Sequence, residues 1–280
     1  MASLLTADHG NTDRIAVEVE ECKAMGIEIL PPDVSESNQD FTVINDQQIR
    51  FGLSAIKNVG EHIVKIIAQN APYQSLEDFL RRVNDKDLNK KSLESLIKCG
   101  ALDRFFERGR LLNNLERILA FAQESRITSS RGQTSLFGNE IYSQKLKLAD
   151  RQPIPKRDCL SWEKELLGMY ISDHPLERFR DYLEYRAVSL LDINPHYINQ
   201  NIVIGGIITS VKKIIAKNNQ PMAFAELEGR SGKIEVIVFP KIYEHSEPLW
   251  QTDKILLING VVNNRDGEIK FICHSARELL

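Results

Sequence analysis

Helical spacing of apolar residues governs this chain as far as Tyr182, and strict alternation takes over from Ile202. Met1–Leu5 reads as a helix entered part-way. Asn11-Thr12-Asp13 then offers cap residues, and Ile15, Val19, Cys22 and Met25 follow on one face, with Gly26 as the stop. Short strands are expected at Ile27–Leu30 (halted by Pro31-Pro32), Phe41–Ile44 and Ile49–Phe51. Helices follow at Leu53–Ile56, Glu61–Asn70 and, behind the capping signal Ser75-x-x-Asp78, as far as Arg82. Further helices are predicted over Ser92–Lys98 and 109–126, the latter turning Leu111, Leu112, Leu115, Ile118, Leu119 and Ala122 inward. Residues 129–158 fit neither period, and Pro153 and Pro155 discourage regular structure there. A short helix from Trp162 to Gly168 and another over Leu176–Tyr182 flank a turn at His174-Pro175. His174 has no nucleophile or second ligand near it in sequence and reads as a turn residue.

The last stretch predicts five strands: Ile202–Ile215, Met222–Glu228, Lys233–Phe239, Lys254–Val262 and Glu268–Cys273, with a helix at Lys241–Trp250 between the third and fourth. Gly205-Gly206 should bend the first strand. That order is the arrangement of the OB-fold, whose groove binds single strands through aromatic and basic residues. Phe224, Phe239, Phe271, Lys212, Lys213 and Lys217 are the candidates, although aromatics in so small a barrel serve equally well as core. The fold class is therefore α+β and multidomain: a helical region, a linker and an all-β barrel.

Within the helical region, Lys57-Asn58-Val59-Gly60 and Lys98-Cys99-Gly100, each behind an isoleucine, both place an aliphatic residue, a lysine and then a glycine just before a new helix. A bare glycine lets a phosphate approach the backbone, helix-start N–H groups face it, and lysine adds charge. Such contacts are independent of base sequence. The pattern resembles a tandem helix-hairpin-helix unit, with Asn58 standing where the first glycine would be. The alternative is a pair of glycine-capped helical turns that only pack.

Gln133-Thr134-Ser135-Leu136-Phe137 puts two adjacent apolar side chains in a polar stretch, which suits an extended peptide docking two anchors in a partner's pocket. It is similar to the sliding-clamp-binding pentapeptide of bacterial DNA polymerases, Gln followed by two variable residues, Leu or Met, and Phe. Folding back on its own domain is the alternative.

Composition adds limits. The chain has 280 residues, enough for two or three domains, with 42% hydrophobic and 27% charged residues. No apolar run approaches the roughly 20 residues of a membrane span. Cys22, Cys99, Cys159 and Cys273 are scattered singly, as reduced thiols of a cytosolic protein would be, and no histidine stands at metal spacing with another ligand. The net charge of −3 argues against a surface that coats nucleic acid everywhere. Residues 1–40 hold nine acidic groups against Arg14 and Lys23, whereas 41–130 hold fourteen basic and eleven acidic groups; a mild phosphate-facing bias is confined to the second stretch.

Met25-Gly26, Pro31-Pro32-Asp33-Val34, Phe51-Gly52-Leu53-Ser54-Ala55-Ile56-Lys57-Asn58-Val59-Gly60, Gln133–Gly138, Glu163-Lys164-Glu165-Leu166-Leu167-Gly168, His174-Pro175-Leu176 and Pro221-Met222-Ala223-Phe224 occur in one order. That succession resembles the C-terminal part of the bacterial DNA polymerase III α subunit, the C-family replicative polymerase. The resemblance implies the tail of a fingers domain (1–45), a tandem helix-hairpin-helix region (46–128), a linker with the clamp motif (129–158), a helical connector (159–197) and the OB domain (198–280). It implies duplex DNA at the hairpins (Lys57, Asn58, Val59, Gly60, Lys98, Gly100), single strands at the barrel, the sliding clamp at 133–137, and an upstream polymerase half or other replicase subunits as partners. Met1 would match an internal position, so the chain is expected to be a fragment or a split-gene product. The Mg²⁺-binding aspartates of the complete polymerase should lie upstream, and no Asp-x-Asp is expected on a strand here, so no catalytic residue, metal or cofactor is assigned to this chain. A standalone clamp-tethered single-strand-binding adaptor and, less well supported, a nuclease or nucleotidyl transferase are the competing readings.

Overall fold

The computed structural model describes residues 1–130, 146–216, 219–230, 232–265 and 267–279, and the chain divides into two units, Met1–Asp173 and His174–Leu280. In the first, α1 (Ala2–Ala7) and α2 (Thr12–Ala24) lead into a sheet of β1 (Glu28–Leu30), β2 (Thr42–Asn45) and β3 (Gln48–Arg50). β3 is central, parallel to β1 and antiparallel to β2. Ile15, Val19 and Cys22 are buried as their spacing predicts, but Met25 is exposed. α2 ends at Ala24, and the turn through Gly26 at φ 75° takes Met25 off the helical face.

A 3-10 turn at Leu53–Ala55 precedes α3 (Glu61–Asn70), α4 (Leu76–Arg82), α5 (Lys90–Lys98), α6 (Arg108–Asn113), α7 (Leu115–Ser130) and α8 (Lys156–Leu167). The capping signal works as read: Ser75 Oγ accepts the Asp78 N–H at 3.1 Å. α5 starts at Lys90, not Ser92, because Asn89 Oδ1 accepts the amides of Lys91 and Ser92. The single helix predicted over 109–126 is broken at Asn114. Its buried amide donates to the carbonyls of Arg110 and Ala149 and accepts the Ala149 N–H, so it ties the segment after residue 145 to the helices at the cost of continuity. α8 begins directly after Pro155; the prolines disrupt structure only up to that point. The core of this unit collects Phe51, Leu53, Ile63, Ile67, Leu76, Phe79 and Leu80.

The second unit holds α9 (Arg180–Arg186), later than the predicted Leu176–Tyr182, and then β4 (Asn201–Ile215), β5 (Pro221–Glu228), β6 (Lys233–Val238), α10 (Pro240–Ser246), β7 (Ile255–Arg265) and β8 (Glu268–Glu278). The strands close into a barrel in the order β4-β5-β6-β8-β7, with β6 and β8 parallel and the other pairs antiparallel. Ile204, Ile208, Ala223, Ala225, Leu227, Val236, Leu256 and Ile258 fill it. β4 shifts register between Ile208 and Ser210 rather than at the paired glycines. Gly205 has a different use: a Cβ there would lie 2.3 Å from Leu183 Cδ2, so the bare backbone seats α9 against the barrel wall. β8 runs past Cys273 because its far half continues to pair with β7, as Leu257 with Arg277.

Candidate nucleic-acid interface

The first hairpin has the geometry its sequence promised. Lys57 is exposed, and among the described residues no carboxylate lies within ion-pair distance of it. Asn58 takes φ 68°, the left-handed conformation a glycine would otherwise supply, and asparagine tolerates it better than most residues. Val59, expected among the DNA contacts, is instead buried and anchors the turn. Gly60 is the N-cap of α3; no side chain caps the first turn, and a Cβ at Gly60 would point into open space. Backbone donors, the positive end of a helix dipole and a lysine thus converge on solvent.

The second hairpin corrects the expectation of two equivalent turns. Gly100, at φ 85°, closes α5: its own N–H bonds to Ile97 O and the Ala101 N–H to Leu96 O, both at 3.0 Å. The next helix starts only at Arg108, and a Cβ on Gly100 would meet Arg108 Nη2 at 2.4 Å. Gly100 is a helix stop covered by a guanidinium, not an open approach. Lys98 is likewise engaged, its ammonium 2.6 Å from Glu94 and 5.5 Å from the Trp162 ring centre.

Both hairpins are held by α8. The Lys57 N–H donates to Leu166 O at 3.0 Å. Buried Glu163 accepts Arg108 Nη2 at 3.0 Å on one oxygen and the amides of Ile171 and Ser172 on the other. Arg108 also binds Asp103 and donates to the Lys98 carbonyl at 3.0 Å. Burial alone would lower the Arg108 pKa, but Asp103 and Glu163 outweigh it and keep the guanidinium charged. Sequence reading missed this clasp, since its members are separated by 55 residues.

The barrel candidates separate. Lys212 and Phe224 are direct cross-strand partners, Lys212 exposed and Phe224 half-buried. Lys213 sits one residue on and reaches Glu247 at 2.9 Å beside the Tyr243 ring; its hydrogen bond to Glu247 raises its pKa. Phe239 is 44% exposed at the start of α10. Phe271 has no exposed surface and belongs to the barrel core, so it offers no face to a base. Lys217 lies outside the described residues, and so do Gln133, Thr134, Ser135, Leu136 and Phe137.

His62, Asp85 and Asp87 were also not anticipated. Their ligand atoms lie within 4.8 Å of one another, and a hydrogen bond of 3.3 Å from His62 Nε2 to Asp85 Oδ2 accounts for the approach. The Asp-x-Asp is in a turn, and the histidine comes from α3.

The helix-hairpin-helix motif family matches residues 26–111, and the OB-fold nucleic acid binding domain family matches residues 202–279. DNA polymerase III subunit alpha of Bacillus subtilis (strain 168) is 37% identical over 285 residues, covering 100% of this chain and 25% of that protein. The same subunit of Thermus aquaticus is 35% identical over 267 residues, covering 92% and 22%. That of Escherichia coli (strain K12) is 32% identical over 292 residues, covering 100% and 25%. The chain belongs to the DNA polymerase III α-subunit family. It spans about a quarter of the length of these relatives. The helix-hairpin-helix match takes in the β1–β3 sheet and α3–α5 and ends within α6, and the OB-fold match falls on the closed five-stranded barrel. Among the described residues no helix is long and apolar enough to cross a membrane.

Proposed function

We propose that this chain is the DNA- and clamp-tethering portion of a bacterial replicative DNA polymerase. The hairpin before α3 grips duplex DNA through phosphates, the barrel takes single-stranded DNA, and Gln133–Phe137 engages the sliding clamp. Nucleotidyl transfer and its Mg²⁺ ions are assigned to the rest of the polymerase. The observation that carries the reading is the uncapped start of α3 beside an exposed lysine, on a chain of this family. Duplex binding measured against salt tests it. Each phosphate contact contributes about 0.9 to the logarithmic salt slope, so Lys57→Glu should weaken binding to every sequence and flatten the slope by about that amount. Lys98→Glu should do less, because Glu94 already holds that ammonium. An unchanged slope for Lys57→Glu would reduce the hairpin to a packing element.

For the clamp, a pentapeptide should bind with a Kd on the order of micromolar, about −8 kcal/mol. DNA held by the hairpin and threaded through the clamp makes that contact effectively intramolecular. Leu136→Ala with Phe137→Ala should abolish co-elution with clamp while leaving DNA affinity and Tm unchanged. Retained co-elution, or a lower Tm, would favour the folded-back reading.

A further inference from the structure

The barrel's two walls differ in charge in a way that bears on where a strand would lie. On β5 and β6, Glu226 and Glu235 face each other as cross-strand partners and Glu228 follows. Lys233 is spent on Glu226 and Glu228, and Lys270 on Glu235 and Glu268. A phosphate laid there meets carboxylates with their cations already taken.

The opposite wall, made by β4, β7 and β8, has a cleft of about 320 Å³ beside α9, lined by Arg186, Arg277, Asn259 and Ser275 over a floor of Val203 and Leu257. Among the described residues neither arginine has a carboxylate within ion-pair distance. Each instead lies near an aromatic ring: Arg277 is 5.7 Å from the Tyr182 ring centre and donates to its hydroxyl, and Arg186 is 5.6 Å from that of Tyr185. Tyr185 is 83% exposed. Asn259 lines the cleft as well, with its Oδ1 shielded from solvent. Two guanidiniums without a carboxylate partner and an exposed aromatic ring next to one of them are what a phosphate and its base require. The cleft is at the lower end of the roughly 300–1,000 Å³ range of small-ligand sites, one nucleotide in size and not a run of them.

We propose that one nucleotide unit of single-stranded DNA docks at this cleft on the β4–β7–β8 wall, its phosphate on Arg186 and Arg277 and its base on the exposed ring of Tyr185, the neighbour of Arg186 on α9. Every base has a π-face, so the site tolerates any sequence. The inference rests on the reading of the barrel as a single-strand binder but moves the strand to a different wall from Lys212 and Phe224.

The test uses fluorescein-labelled oligothymidylate and the full chain carrying Lys57→Glu, which silences the hairpin. Arg186→Ala with Arg277→Ala should weaken binding tenfold or more and reduce the salt slope by about 0.7, the value for one phosphate on a single strand. Tyr185→Ala should cost several-fold, and should cost nothing against an abasic strand of the same length, which itself should bind several-fold more weakly. All three side chains are solvent-exposed, and a melting curve confirms that each variant is folded. If the arginine pair changes nothing while Lys212→Ala with Phe224→Ala abolishes binding, the strand lies on the β5 side and the inference is wrong, although the barrel remains a single-strand binder. If neither pair matters, the barrel does not bind strands and both readings fail. Equal binding of the abasic strand would leave a phosphate contact without a base, and displacement by equimolar thymidine monophosphate would assign the cleft to free nucleotides; either result overturns the proposal.

Discussion

Removing the Arg108 guanidinium should be among the most costly single changes available in the Met1–Asp173 unit. Arg108 is 7% exposed and Glu163 1%. Methionine would fill much of the volume but leave Glu163 Oε1, the Lys98 carbonyl and Asp103 without the donor that now bridges them at 2.9–3.0 Å. Breaking a buried ion pair from one side costs about 3–5 kcal/mol, because a charge stays in the interior uncompensated. For a unit of this size each kcal/mol moves Tm by about 2–4 °C, so Arg108→Met should lower it by roughly 6–20 °C. Glu163→Gln keeps an oxygen for the Ile171 and Ser172 amides and should cost less. The double variant removes the stranded charge and should be more stable than Arg108→Met alone, giving a coupling of about 2 kcal/mol in a double-mutant cycle by urea denaturation. Since α8 also holds Lys57 through Leu166 O, duplex affinity should fall along with stability in Arg108→Met and recover in part in the double variant. A loss under about 1 kcal/mol for Arg108→Met would refute this reasoning, since it would mean that water or a rearranged side chain compensates Glu163.

Thiol chemistry should follow burial. Cys99 and Cys273 have pKa values pushed up to about 12 by burial, and that of Cys22 is also raised, so none should react with a thiol reagent at pH 8 in the native state, whereas all should after denaturation; rapid native labelling of Cys99 would contradict the packing of α5. The acid limb has a specific contributor. The Asp87 amide first, and His62 after it, hold the Asp85 carboxyl below its ordinary range. Its folded pKa is thus below the unfolded one, so its stabilisation is present above the ordinary aspartate pKa and is lost as pH falls through the depressed value. Asp85→Asn should flatten stability against pH below about pH 4 and leave the neutral range nearly unaltered; an unchanged acid limb would remove Asp85 from the account.

What was legible in the sequence was what depends on neighbours along the chain. Ser75 capping α4, the span of α3 and the OB strand order all follow from local chemistry or period. What was not legible depends on partners far away. Gly100 follows a lysine at a hairpin just as Gly60 does, yet one is a sealed helix stop and the other an open helix start, and only the later arrival of Arg108 decides between them. Phe224 and Phe271 are likewise indistinguishable by alternation alone, because closing the barrel puts one residue of each alternating pair inside and the sequence does not mark which wall is solvated. Asn114 interrupts a helix whose apolar pattern runs straight through it, for the sake of a bond to Ala149.

Asn58 is where conformation and contact can be separated. Its φ of 68° is a backbone requirement of the hairpin, and among the described residues its side chain makes only a long contact of 3.5 Å to Ser95 Oγ. If asparagine is there for its backbone alone, glycine should serve as well, and Asn58→Gly should keep both Tm and duplex affinity. Asn58→Val should lose about 1–2 kcal/mol of stability, the cost of forcing a side-chain-bearing residue into the left-handed region, and should weaken DNA binding because Lys57 and the start of α3 lose their alignment. The two roles leave different marks on salt dependence. A neutral amide releases no counterion when it touches a phosphate, so losing such a contact lowers affinity at every salt concentration and leaves the slope alone. Misaligning Lys57 lowers the slope as well. Asn58→Gly with reduced affinity at constant slope would therefore identify the amide as a phosphate ligand. Asn58→Val with an unaltered Tm and unaltered slope would show that the hairpin does not need its left-handed residue, and the case for an ordered phosphate cradle at the start of α3 would go with it.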